Sequence, residues 1–188
     1  MRRAKSDSAE IQRLRSVLLR KGMTTYPLAM QAIAEFRHEV FSILKRVADP
    51  RAKAIRQIVG NASIKPHSDA VDDFLDDPDT LLAVETNSSP CYFQLAVFWQ
   101  HVNRLPGPVR ISAAIFFEKR ATFEKVDKAL QDRFGAKVRT DADWGCYLEE
   151  SIDPQQAGQL ESALGKISDK WIKMLHTVNV RKLIRSKE

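Results

Sequence analysis

Val109-Arg110-Ile111-Ser112-Ala113-Ala114-Ile115-Phe116-Phe117 is the stretch on which the fold turns. Val109, Ile111, Ala113, Ile115 and Phe117 alternate with Arg110, Ser112 and, one step further, Glu118. Successive side chains of a strand point to opposite faces, so this period of two predicts a half-buried β-strand. A one-residue slip in its pairing would expose the whole apolar set, which ties its neighbours to one register. Upstream, Phe93, Leu95, Val97 and Trp99 alternate in the same way, while Tyr92, Ala96 and Phe98 make the opposite face partly apolar too. Residues 81–86 read as a shorter strand, joined to that one by the turn Asn87-Ser88-Ser89-Pro90. Residues 103–108, with Pro106-Gly107-Pro108, are expected to form a loop.

Downstream the period changes to that of a helix. Phe123, Val126, Leu130 and Phe134 line one side, with Thr122 as the expected cap and Gly135 as the stop. A strand around Trp144, Cys146 and Leu148 follows. Asp153-Pro154 is a cap-then-proline start, and Leu160, Leu164, Ile167, Trp171, Met174, Leu175 and Val178 form one stripe. The stripe fails at Asn179, so the last nine residues are expected to be frayed or separately docked.

The first sixty residues read as helices. Ile11, Leu14 and Leu18 mark one that Gly22 ends; Ile33, Phe36, Val40, Phe41, Leu44 and Val47 mark a second, capped by Thr25. Asp49-Pro50 starts a third, stopped by Gly60-Asn61. The fold class is therefore α+β: N-terminal helices followed by a mainly antiparallel β-β-β-α-β-α layer. The expected division is a helical region over 1–62, an acidic linker over 63–80 and an α+β domain over 81–188.

Hydrophobic residues make up 44% of the 188, enough for a real core. The net charge of +6 is unevenly spread: +9 over 1–65, −7 over 66–98, −1 over 99–163 and +5 over 164–188. Clustered basic charge attracts polyanions through its long-range field and through counterion release. Two cysteines, Cys91 and Cys146, lie in apolar, strand-like surroundings and read as buried free thiols. The basic start Met1-Arg2-Arg3-Ala4-Lys5 lacks the apolar run of a signal peptide, and no apolar stretch approaches the roughly 20 residues of a membrane span. A cytoplasmic location without membrane contact is expected.

No assembled catalytic motif stands out. Asp72-Asp73-Phe74-Leu75-Asp76 has the spacing of an acidic magnesium motif, but the second acidic cluster that such chemistry needs is missing, and a solvated acidic segment is the simpler reading. His38, His67, His101 and His176 are not spaced with each other or with a cysteine as a local metal site requires. A thiol–imidazole pair of Cys91 or Cys146 with His101 could meet only across strands. The acid-any-Lys strand of restriction-type nucleases is lacking, as are a phosphate-binding glycine loop and a nucleophile elbow. No cofactor and no metal are expected. The basic features carry more: Lys166, Lys170 and Lys173 at i, i+4, i+7 on the last helix, and Arg51, Lys53 and Arg56 on the third. These six are the candidate nucleic-acid- or partner-binding residues. Trp144, Trp171 and Tyr147 read as core residues, which argues against base stacking.

The strand from Val109, the helix from Phe123 to Phe134, Gly135, a further strand and a terminal helix with Trp171 and Leu175 resemble, in their order, a small accessory domain of unknown function found after restriction-type nuclease domains in bacteria. The likeness covers 109–178 and lies in apolar patterns; Trp144 comes late after the glycine compared with the family. It implies a prokaryotic defence or DNA-metabolism setting and assigns no site residues. The expected function is a non-catalytic adaptor or regulatory protein that acts on a protein partner in such a complex. The alternative is a sequence-independent nucleic-acid binder, and an enzyme of unidentified type comes third.

Overall fold

The computed structural model describes residues 25–60, 62–68, 80–87, 89–102, 105–153 and 158–185. The first expected helix, with Arg13, Arg15, Arg20 and Lys21, and the acidic run from Asp69 to Asp79 lie outside these residues. The chain divides into two compact units, Met1–Glu39 and Val40–Glu188. Helix α1 spans Thr25–Ala48 and gives its last nine residues to the second unit. A 3-10 turn, Asp49–Arg51, and helix α2, Ala52–Val59, follow. Then come strands β1 (Ile64–Ser68), β2 (Thr80–Thr86), β3 (Cys91–Val102) and β4 (Leu105–Phe117), helix α3 (Arg120–Phe134), strands β5 (Arg139–Thr140) and β6 (Gly145–Ile152), and helices α4 (Leu160–Thr177) and α5 (Val180–Arg185).

The strands form one six-stranded sheet in the order β1-β2-β3-β4-β6-β5, and every neighbouring pair is antiparallel. The α+β class with N-terminal helices and an antiparallel layer is therefore what the chain adopts. The alternation sets the register: Ile111, Ala113 and Ile115 stand opposite Val97, Leu95 and Phe93 on β3, and Ala113 and Ile115 stand opposite Leu148 and Cys146 on β6. All of these are buried in one core with Leu82 and Val84 of β2. From α1 and α2, Val40, Leu44, Val47, Ile55, Ile58 and Val59 join the same core. So do Val126 and Leu130 of α3, and Leu164, Ile167, Trp171 and Leu175 of α4. Burying a side chain of this size contributes about 1.5–3 kcal/mol, so a single hydrophobic layer accounts for the association of helices and sheet.

Several element ends differ from the sequence expectation. Residues 64–68, read as the start of a linker, form edge strand β1, with Pro66 opposite Val84. A proline has no N–H for a ladder, and an outermost strand is where that costs least. The expected loop over 103–108 is shorter, because β3 and β4 run on to Val102 and from Leu105. Pro106 and Pro108 fit there because β6 reaches only to Val109, so that stretch of β4 has one neighbour among the described strands. Asp49 makes no side-chain cap, and α3 begins at Arg120 without one from Thr122. Helix α4 begins at Leu160, after the expected Asp153-Pro154 start, with 154–157 outside the described residues. Gly60 does end α2, at φ +103°, a conformation that side-chain-bearing residues rarely adopt. Asn179, at φ +53°, breaks the last stripe, and α5 then docks separately through Val180, Leu183 and Ile184.

Candidate functional site: the open face of the sheet

All the helices of 40–185 that pack on strands share the core with one face of the sheet, and no described element of that unit covers the other. The uncovered face is built from the alternate residues. They are Leu81, Ala83 and Glu85 on β2; Tyr92, Gln94, Ala96 and Phe98 on β3; Arg110, Ser112, Ala114 and Phe116 on β4; and Gly145, Tyr147 and Glu149 on β6. Its centre is small. Ala83, Ala96 and Ala114 are buried by the strands beside them, although none belongs to the core cluster. Around this floor stand half-buried aromatic rings, and between them lies a concavity of about 250 Å³ lined by Leu81, Gln94, Phe98, Ser112, Phe116, Tyr147, Asp141 and Glu149 among others.

Each wall has a local cause. Tyr92 and Phe116 stand opposite each other and stack, with ring centroids 5.0 Å apart and planes 15° apart. On its other side Phe116 faces Gly145, where an added Cβ would lie 2.5 Å from the Phe116 ring, so only glycine lets the ring rest on the β6 backbone. Arg110 reaches over the Phe98 ring at 6.0 Å and, with Arg139, clamps Glu149: Nη1 of each donates to Oε1, at 3.2 and 2.7 Å. The turn before β6 is tied by Asp141, whose Oδ1 accepts the N–H groups of Asp143 and Gly145 at 3.0 and 2.9 Å. That turn holds Trp144 at φ +59° and leaves it 38% exposed. A bulky residue in the left-handed region is uncommon and persists only where its surroundings hold it.

Three carboxylates stand near Tyr92 on this face. Burial first, and then the carboxylates of Glu85, Asp141 and Asp143, push the Tyr92 hydroxyl above its usual pKa. A single-strand platform needs stacking rings in a positive groove, and the carboxylates near Tyr92 do not supply one. Trp144 and Tyr147 are corrected here: the first is exposed and the second is half-buried on the open face, while Trp171 is fully buried as expected.

The six basic residues singled out from sequence are spread over the helical layer. Arg51 is engaged on several sides. Its Nε and Nη2 bond the two oxygens of Asp169 at 2.7 Å each, Nη1 donates to the Val47 carbonyl at 2.8 Å, and Nη2 also reaches the Gly165 carbonyl at 3.3 Å. It clamps the start of α2 to α4. Arg51 and Lys166 line one groove of about 530 Å³ with Arg46, but Glu161 and Asp169 pair with the two arginines there. Lys170 pairs with Glu150 at 3.3 Å. Arg56 donates to the Ala62 carbonyl at 3.2 Å, while Lys53 and Lys173 are exposed. Cys91 and Cys146 are buried and stand outside any disulfide among the described residues. His101 stands ten positions from Cys91 along β3, on the order of 33 Å at strand rise, so the thiol–imidazole pair with Cys91 is not assembled. Among the described residues no group of three His, Cys, Asp or Glu is placed to hold a metal, and no helix is long and apolar enough to cross a membrane. Compared with protein-family models, with curated proteins and with solved structures, the chain matches none.

Proposed function

We propose that this chain is a non-catalytic interaction protein that docks a protein partner on the open face of its sheet. The observation that carries the proposal is the constellation of Tyr92, Phe98, Phe116 and Tyr147 around a small-residue floor, with an exposed Trp144 in the adjoining turn. The concavity is smaller than the roughly 300–1,000 Å³ in which small-molecule sites bury their ligands. It fits one apolar side chain of a partner instead. Rigid aromatic anchors beside a depression are what protein hot spots are made of. The carboxylates of Glu85, Asp141 and Asp143 favour a partner whose anchor is flanked by lysine or arginine. The carboxylates that line the depression are already occupied, Asp141 by backbone N–H groups and Glu149 by two arginines. A cytoplasmic location belongs to the same proposal. So does a place in a bacterial defence or nucleic-acid-related complex, which rests on the likeness of 109–178 alone.

The test is position-specific photo-crosslinking in cells, with the photoreactive residue at Tyr147 and, as control, at Arg133 on α3. One protein is expected from position 147 and not from 133. The purified pair is then expected to bind about tenfold or more weakly when Trp144→Ala or Phe98→Ala is introduced, the size of a hot-spot loss. Equal capture from both positions, or unchanged affinity in both variants, overturns the proposal.

A further inference from the structure

The face of the molecule built by α2 and α5 has a different character. Neither helix contains an acidic residue. Their exposed positions are Lys53, Arg56 and Gln57 on α2, and Arg181, Lys182 and Arg185 on α5. The two helices pack on each other, and Arg181 Nη1 donates to the Gln57 carbonyl at 3.3 Å. This places five cations on one surface formed by two neighbouring helices. The apolar residues of α5 do not contribute to it, because Val180 is buried and Leu183 and Ile184 pack against the core. From Trp171 to the end of α5 the chain carries no acid at all. The neighbouring helix α3 supplies Glu124, Asp127 and Asp132, but Glu124 is paired with Arg120 and Asp127 accepts a hydrogen bond from Gln131. It also adds Lys125, Lys128 and Arg133. Asn179, Arg181, Lys182 and Arg185 line an open concavity.

We infer that the α2–α5 surface binds the phosphate backbone of nucleic acid without reading its sequence. Arg181 and Arg185 are one turn apart, about 6 Å along the helix, and α2 adds a second row beside them. Two rows of cations can meet several phosphates at once, which is the sequence-independent contact mode. An anionic membrane is the other polyanion of this size. A helix that lies on a membrane inserts an apolar face, and the apolar side chains of α5 are turned inward, so nucleic acid is favoured. This surface is distinct from the open sheet face, and its test reads a different quantity.

The experiment measures fluorescence anisotropy of a labelled random-sequence DNA duplex of roughly 20 base pairs with the full chain, between about 50 and 200 mM salt. Three charge reversals, Lys53→Glu, Lys182→Glu and Arg185→Glu, are compared with three elsewhere, Lys65→Glu, Lys119→Glu and Lys137→Glu. The wild type is expected to show a log–log salt slope of about −3 to −4, at roughly −0.9 per phosphate. The α2–α5 variant should bind at least about tenfold more weakly and with a flatter slope, while the control changes by less than about threefold. If the reversals unfold the chain in a thermal melt, the glutamine versions of the same three positions replace them. Absence of wild-type binding at low salt overturns the inference. So do equal losses in the two variants, or binding to phosphatidylserine vesicles without binding to the duplex.

Discussion

The two faces of one sheet are made of the same strands and obey different rules. On the covered face, Phe93, Leu95, Val97, Ile111, Ala113 and Ile115 are all apolar and almost wholly buried beneath helices. On the open face, one residue out of step, Tyr92, Gln94, Phe98, Arg110, Ser112 and Phe116 mix rings, amides, hydroxyls and charge. A face that merely meets water would be polar throughout. This one keeps alanines at its centre and rings around them, and Glu149 is matched within the face by two arginines. The difference teaches that burial by helices is not the only reason for an apolar residue in this sheet: part of the second face is preserved as apolar surface without a cover from the described residues of its own unit.

Truncation on the two faces gives the largest contrast. Trp171→Ala removes a fully buried ring from the covered layer and is expected to cost about 3–5 kcal/mol in urea denaturation. Phe116→Ala removes one member of the Tyr92 stack on the open face and should cost on the order of 1 kcal/mol. A loss for Phe116→Ala as large as that for Trp171→Ala would break the comparison, because it would mean that this ring is covered in the folded chain.

The covered face also holds both thiols. Burial first, and then Glu118, pushes Cys91 from an ordinary 9.0 up to about 12; burial, and then Asp127 and Asp141, does the same to Cys146. Both groups keep their protons in the folded state at pH values where the unfolded chain loses them. The unfolded state then binds fewer protons, so stability is fully present below pH 9 and falls as pH rises towards 12. Each thiol contributes a slope of about 1.4 kcal/mol per pH unit in that window. The slope of unfolding free energy against pH from 9 to 11 is expected to be shallower in Cys91→Ala/Cys146→Ala than in the wild type. An identical slope in the two proteins would show that the thiols are not shielded by this layer.

Much of this architecture is legible in the sequence, for a physical reason. Strict alternation over 109–117 and helical spacing over 160–178 are long, strong signals, and the sheet and α4 lie where they point. Short or proline-bearing elements are not legible. Ile64-Lys65-Pro66-His67-Ser68 pairs as an edge strand because β2 offers a free ladder, a tertiary cause that local composition hides beneath a proline and the aspartates that follow. The open face is half visible: Tyr92, Ala96 and Phe98 mark the second side of β3 as partly apolar. What periodicity does not tell is whether helices cover one side or both, so Tyr147 and Trp144 read as core. The same blindness applies to charge. Arg51 resembles a free cation in sequence, and only the approach of α4 turns it into a clamp on Asp169.

The smallest expected effect lies in the helix that covers the sheet. Ser168 of α4 is fully buried, and its Oγ has no hydrogen-bond partner among the described residues. A hydroxyl taken from water without a new partner costs about 1–3 kcal/mol, and alanine at the same site removes that cost without removing a bond. Alanine also has the higher helix propensity. Against these gains stands one lost oxygen, which leaves a space smaller than a water molecule. Ser168→Ala is therefore expected to leave stability unchanged or to raise it by up to about 1 kcal/mol, read as the shift of the urea midpoint at constant slope. Ser112 on the open face is the matched control: it borders the concavity, where water can reach it, so Ser112→Ala should shift the midpoint less than Ser168→Ala does. A clear destabilisation by Ser168→Ala would reveal a partner for this hydroxyl, and the covered layer would then carry a polar bond as the open face does.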